Sequence, residues 1–163
     1  MAPTDGDDSA FERPSLRMLM RRSWEQPSER EWAEVLAALP LFSTMGKRQV
    51  RRLAKLVRVQ DYEPGASIVR VGEAGDSFYL LLEGRAGVAG KSRVLRAGDF
   101  FGEMALLDGG PRSATITATT PVRAMRLPRR AFMEALDSDP HISRAIMAVL
   151  AARVRRLERA ISA

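Results

Sequence analysis

Between about residues 57 and 127 the chain runs in short β-branched and aromatic stretches, cut apart by Pro64 and Gly65, Gly75 and Asp76, Gly84, Gly98 and Asp99, and Pro121. No long helix can form under such punctuation. The spacing predicts strands over 57–62, 67–71, 77–83, 85–89, 93–95, 115–119 and 122–127, and turns so close together lead to an antiparallel double-sheet jelly roll or a small barrel.

Helical periodicity brackets this segment. Ser28 and Glu31 have the spacing of a capping box, after which Trp32, Val35, Leu36 and Leu39 form one apolar stripe that Pro40 ends. Val50, Leu53, Ala54 and Val57 repeat the pattern after a connector over 41–46. Beyond Pro128, the residues Phe132, Met133 and Leu136 predict a short helix, and Asp139 with Pro140 supplies a cap and a first-turn proline for another. That last helix carries Ile142, Ile146, Val149, Leu150, Val154, Leu157 and Ile161, with Arg153 at the margin of the stripe. Such a stripe suits packing on the domain, or the seam of a homodimer. The division expected is a disordered tail over 1–27 and one domain over 28–163, helical over 28–57, β over 57–127 and helical again over 128–162.

Composition removes several classes of function. The chain has 163 residues, 45% of them apolar, enough for one domain with a real core. It has no cysteine, so disulfides, thiolate metal sites and a cysteine nucleophile are excluded. The one histidine, His141, sits at a helix start beside Pro140 without a nucleophile or carboxylate constellation, so no enzyme, haem or metal site is expected. No apolar run is long enough to span a bilayer and the first residues lack the apolar stretch of a secretory signal, which makes a cytoplasmic protein the simple expectation.

The net charge of +6 is concentrated in Lys47, Arg48, Arg51, Arg52, Lys55 and Arg58, and in Arg153, Arg155, Arg156 and Arg159. These clusters read as solvated helix faces. No aromatic residues interleave them as stacking platforms, and about two residues follow Ile161, so neither direct DNA binding nor a helix-turn-helix module is expected. In the tail a short patch, Leu16, Met18, Leu19, Met20 and Trp24, flanked by Arg17, Arg21 and Arg22, could dock on a partner or a membrane surface.

One segment packs chemistry between two strands: Phe100, Phe101, Gly102, Glu103, Met104, Ala105, Leu106, Leu107, Asp108, Gly109, Gly110, Pro111, Arg112, Ser113, Ala114 and Thr115. A helical turn starting at Gly102 or Glu103 would offer free amides to an anion, and a glycine there lets a ligand approach the backbone. The loop through Gly109, Gly110 and Pro111 returns the chain so that Arg112 can face the same place. A guanidinium wants phosphate, whereas an ionised carboxylate accepts from hydroxyls. A 3′,5′-cyclic nucleotide carries both groups side by side; a plain pairing of Glu103 with Arg112 across the turn is the other reading.

These residues resemble the phosphate-binding cassette of the cyclic nucleotide-binding domain family, found in protein kinase A regulatory subunits, the catabolite activator protein and cyclic nucleotide-gated channels. Gly72, Glu73, Gly75, Asp76, Phe78, Tyr79, Leu80, Glu83 and Gly84, then Leu95, Gly98, Asp99 and Phe100, extend the resemblance in order, and it covers roughly 30–160. The stretch 101–119 and the closing helix are similar to the bacterial potassium-channel branch. The resemblance implies a mainly β fold: an eight-stranded antiparallel jelly-roll β-roll with an N-terminal helical segment and C-terminal B and C helices. It implies that Glu103 accepts the ribose 2′-hydroxyl near the Gly102 amide, and that Arg112 holds the cyclic phosphate. The amides of Ala105 and Ser113 and the Ser113 hydroxyl would complete the cradle. Val88 would face the purine, Phe101, Met104 and Ala114 would belong to the lining, and Arg153 would stack on the base as a lid or else stand exposed. Leu106 or Leu107 would meet Phe132 as the cassette tightens.

No cofactor is implied, only the ligand: cyclic AMP is the first expectation, because Ser113 stands where a threonine accompanies cyclic GMP in the family, and cyclic GMP is the alternative, since the Ser113 hydroxyl could still reach a guanine amino group. Members that have lost the arginine often bind no nucleotide; this chain keeps it. The output would pass to an effector protein that the sequence does not name. A docking module that keeps the fold without the ligand is the competing reading.

Overall fold

The computed structural model of the chain describes residues 27–39 and 42–162, the side chain of Val149 excepted. The expected tail, with its patch from Leu16 to Trp24, lies outside these residues but for Pro27, and so does the helix stop at Pro40. In chain order, α1 (Glu29–Ala38) and α2 (Lys47–Leu56) lead into β1 (Arg58–Tyr62), β2 (Ser67–Val69), β3 (Ser77–Glu83), β4 (Ala86–Val88), β5 (Val94–Leu95) and β6 (Phe100–Phe101). Then come α3 (Glu103–Asp108), β7 (Ile116–Ala118), β8 (Val122–Pro128), α4 (Arg129–Ser138) and α5 (Pro140–Ser162).

Strand β3 shows how the layers are arranged. Its residues Ser77 to Leu82 are all buried, so the strand cannot have a wet face. Side chains alternate across a strand, and Phe78, Leu80 and Leu82 enter a core shared with the helices, whereas Tyr79 and Leu81 enter a second core inside the roll. Strand β8 divides the same way, with Met125 and Leu127 on the helix side and Val122 and Ala124 within. The sheet β1-β8-β3-β6 therefore lies between the helices and the sheet β2-β7-β4-β5, with every pairing antiparallel. This is the eight-stranded double sheet with flanking helices that the resemblance implied.

The helices form where capping and periodicity place them. The Ser28 hydroxyl accepts from the Glu31 amide and the Glu31 carboxylate accepts from the Ser28 amide, closing the capping box. Asp139 caps α5 by accepting from the His141 amide at 3.0 Å, and the imidazole of His141 stays exposed. Phe78 is the hub of the helix-side core: it stacks on Phe132 at 5.1 Å, tilts against Phe100 at 5.5 Å and meets the edge of Phe42 at 6.2 Å. Lys47, Arg48, Arg51, Arg52, Lys55 and Arg58 stand exposed, as a solvated face does.

Some boundaries differ from the sequence reading. Val57 is the C-cap of α2 rather than the first residue of β1, and β2, β4 and β7 are each three residues long. Strand β6 was not expected from the spacing. It has only two residues, too few for any period, and it exists because Phe101 and Phe100 pair with Tyr79 and Leu80 of β3.

Of the two leucines proposed to meet Phe132, Leu106 is fully buried in the helix-side core, while Leu107 is exposed. Urea denaturation should therefore separate them. Leu106→Ala is expected to cost about 2–5 kcal/mol and Leu107→Ala no more than about 0.5 kcal/mol; equal losses would contradict this packing.

Candidate functional site

The cassette runs from β6 through α3 to β7, and its shape depends on two glycines. Gly102 precedes α3 at φ 92° and Gly109 follows it at φ 69°, conformations that L side chains rarely adopt. At 102 a second constraint applies. A β-carbon there would lie 2.6 Å from Arg112 Nη1 and 2.8 Å from the Ser77 carbonyl. The turn out of α3 is closed by Asp108 Oδ1, which accepts from the Gly110 amide at 2.8 Å, and Pro111 bridges to Ala74. The loop before β3 is joined to the cassette exit twice, by Arg112 N–H to the Glu73 carbonyl at 2.8 Å and Gly72 N–H to the Arg112 carbonyl at 2.9 Å. Gly75 lies so close to Ala105 that any side chain there would overlap the alanine methyl.

Arg112 is 5% exposed. A guanidinium so buried must find acceptors. Nη1 donates to the Gly102 carbonyl at 3.1 Å and Nη2 to the Ser77 carbonyl at 2.8 Å, with Asp76 Oδ1 3.6 Å away and the Tyr79 ring 5.7 Å below. Asp76 also pairs with Arg126 at 2.9 Å, and Arg126 donates to the Ser77 hydroxyl at 2.7 Å. Two of the five guanidinium N–H groups are thus taken by carbonyls, which leaves donors for an anion.

Glu103 is 1% exposed and pairs with Arg153 of α5, not with Arg112. The reading in which Glu103 and Arg112 neutralise each other across the turn is therefore not what the fold contains. Arg153, expected to be a base lid or an exposed residue, is not exposed: it lies half-buried over the carboxylate. Arg93 stands near enough for its own pKa to be pulled down, first by desolvation and then by the like charge of Arg153, while Asp99 and Glu103 oppose the shift.

The structure brings Gly102, Glu103, Ala105 and Arg112 together. Of the other expected residues, Met104 and Ser113 are exposed, Ala114 and Val88 are half-buried, and Phe101 is buried against Tyr79 with ring centroids 5.1 Å apart. Three participants were not singled out as site residues: Asp76, Ser77 and Arg93. Asp76 is among the residues that carry the family resemblance, but a serine carbonyl as the acceptor for a buried arginine, as at Ser77, leaves no mark in a sequence. The arrangement offers a carboxylate that can only accept and a guanidinium with donors to spare, at opposite ends of one helical turn.

A double-mutant cycle with Arg153→Ala and Glu103→Gln reads the strength of the contact between α5 and the cassette. Denaturation should give a coupling energy of about 1–3 kcal/mol; additive losses would mean that the pair does not form in solution.

Comparison with known proteins places this geometry. Residues 59–139 match the family described as the cyclic nucleotide-binding domain. The chain is 40% identical over 119 residues to a cyclic nucleotide-gated potassium channel of Rhizobium etli, covering 72% of this chain and 33% of the channel. It is 38% identical over 125 residues to the cAMP-dependent protein kinase regulatory subunit of Colletotrichum orbiculare, covering 74% of this chain and 32% of that protein. Among solved structures, the regulatory domain of Toxoplasma gondii PKA with cAMP superimposes with a TM-score of 0.67 at 26% identity, over 76% of this chain and 50% of that one. The chain spans about a third of the length of the curated relatives it matches. A buried arginine and glutamate at the two ends of a glycine-bounded turn, on an eight-stranded roll that these relatives match, make this chain a member of the cyclic nucleotide-binding domain family over residues 59–139.

Proposed function

We propose that this chain is a non-enzymatic sensor that binds cyclic AMP in the cassette and reports it through its C-terminal helices. The observation that carries the reading is the buried pair of opposite charges, Glu103 and Arg112, each held by the fold and not by the other. A cyclic nucleotide answers both. Arg112 takes the cyclic phosphate with its remaining donors, helped by the amide of Ala105 and by the amide and hydroxyl of Ser113. Glu103 accepts from the ribose 2′-hydroxyl. Val88, Phe101, Met104 and Ala114 line the sugar and base, and Ser113 favours cyclic AMP over cyclic GMP. The relatives named for cyclic AMP and cyclic nucleotides support the ligand class.

The same contacts connect binding to output. A ribose hydroxyl that reaches Glu103 must displace Arg153 or share its carboxylate, and Arg153 belongs to α5. Ligand entry therefore acts directly on the last helix, and Arg153, once released, is free to lie over the purine with its flat guanidinium. Leu106 carries the movement of α3 into the core around Phe132. A ligand shifts such an equilibrium by its difference in affinity for the two arrangements. The receiver is an effector protein. Among the described residues no helix is long and apolar enough to cross a membrane, and a sensor of an internal messenger belongs in the cytoplasm.

Calorimetry with cyclic AMP tests the reading. Wild type should bind, and Arg112→Ala should lose on the order of 3–5 kcal/mol, a few hundred- to a few thousand-fold in affinity. Because Arg112 also supports the cassette, Ser113→Ala is measured beside it, with an expected loss of about 1 kcal/mol in an unaltered fold. Saturating cyclic AMP should also raise the melting temperature by mass action. If neither cyclic AMP nor cyclic GMP moves the melting temperature or gives heat, the docking-module reading replaces this one.

A further inference from the structure

Helices α1 and α2 run antiparallel, with Lys55 near the end of α2 reaching Glu29 at the start of α1 at 4.0 Å. Their inner faces are buried in the helix-side core. Their outer faces enclose an open groove of about 650 Å³ whose floor is Ala33, Ala37, Met45 and Val50. Ala33 and Ala37 lie four apart on the side of α1 turned away from its buried residues Trp32, Val35 and Leu36; Ala37 is exposed and Ala33 half-buried. A wholly solvated helix face carries polar side chains, whereas alanines on successive turns leave room for another helix to approach closely. Among the described residues nothing covers this groove.

The α2 wall of the groove is electrostatically unbalanced. Lys47, Arg48, Arg51 and Arg52 have no acidic partner among the described residues. Lys47 and Arg48 stand in the first turn of α2, which holds no acid, at the end where the helix dipole favours negative charge.

The chain carries a matching segment just before α1. Ser15 is an N-cap residue type, Leu16, Leu19, Met20 and Trp24 recur on one side of a helical period, and Pro27 disfavours helical backbone at Gln26. Glu25, Gln26 and Pro27 then make a three-residue connection to the cap at Ser28, a length that joins antiparallel helices. Counting outward from the Gln26–Pro27 bond sets Met20 opposite Ala33 and Leu16 opposite Ala37, an apolar residue against an alanine at both turns. As a helix, Leu16 to Trp24 spans about 12 Å, against about 15 Å for α1. Before Leu16 come Asp5, Asp7, Asp8 and Glu12, which this arrangement brings to the end of the groove where Lys47 and Arg48 stand.

We infer that residues 15–24 of this chain occupy the groove as a further helix antiparallel to α1, with the acids of 5–12 against the basic start of α2. A tether of three residues gives the segment an effective concentration on the order of millimolar, which a free partner must outcompete. A bilayer of acidic lipids would attract the bases of α2 but repel the four acids that precede the stripe. The inference is independent of what the cassette binds.

Because the chain has no cysteine, paired substitutions in the full chain test it. Under mild oxidation, Leu16→Cys with Ala37→Cys should form an intramolecular disulfide at least about tenfold faster than Leu16→Cys with Lys91→Cys. Lys91 is exposed beyond β4, in the sheet that faces away from the helices. Replacing Asp5, Asp7, Asp8 and Glu12 by the corresponding amides should slow the Leu16–Ala37 cross-link about threefold; an unchanged rate overturns the acidic contact. A second readout needs no cysteine. Trp24 should be shielded from acrylamide in the wild type and open to it in Ala37→Arg, while Trp32, buried in the core, stays shielded in both. Equal rates for the two cysteine pairs, or Trp24 quenched equally in wild type and Ala37→Arg, overturn the inference. So does a disulfide formed between two chains, which gives the groove to a second copy. Shielding of Trp24 that arises only with vesicles containing phosphatidylserine overturns it too, and gives the segment to the membrane.

Discussion

A guanidinium withdrawn from water must be surrounded by acceptors or it will not stay folded, and the burial of Arg112 sets the terms for everything near it. Its donors reach the carbonyl of Gly102, at the entrance of the cassette, and that of Ser77, at the start of β3. The two ends of the cassette and the start of a strand thirty-five residues away in sequence therefore meet on one side chain. Gly102 can have no β-carbon because that space is filled by Arg112 itself, and its left-handed conformation turns the chain straight into α3 with Glu103 in the first position. The charge that would recognise an anion and the turn that would cradle it share one set of contacts.

The second buried charge links this site to the far end of the chain. Glu103 is almost wholly withdrawn from solvent, and its partner comes from α5, fifty residues on. Removing one member of such a pair leaves the other desolvated, so the helix and the cassette constrain each other through this pair. This is a coupling device in physical terms. Whatever competes for Glu103 alters the free energy of holding α5 in place, and whatever holds α5 elsewhere alters the availability of Glu103. The helix is suited to that role because its first turns are anchored by Ile142 and Ile146, while the turns beyond Leu150 expose their apolar side chains.

Much of this was legible in the amino-acid order alone. The capping box at Ser28 and Glu31, the cap at Asp139, the apolar stripes and the glycine-bounded cassette all depend on neighbours within a few residues, and such interactions are written locally. The strand segments from Ser77 to Glu83 and from Val122 were equally plain, being long enough to show their composition. What periodicity did not show is that β3 is buried on both faces, since a continuous apolar run reads the same in a strand or a buried helix.

The sequence by itself determined that this chain makes a turn-rich antiparallel roll between helices and that a carboxylate and a guanidinium stand at the two ends of one short turn. Only the tertiary structure decided which groups those charges face. Strand β6 exists because β3 is beside it, Leu106 and not Leu107 is core because of how α3 settles on Phe132, and Arg153 meets Glu103 because α5 folds back across the cassette. A residue type states what a side chain can bond to, and local spacing states its direction within an element. The identity of its partner depends on long-range packing, which is set by burial summed over the whole chain.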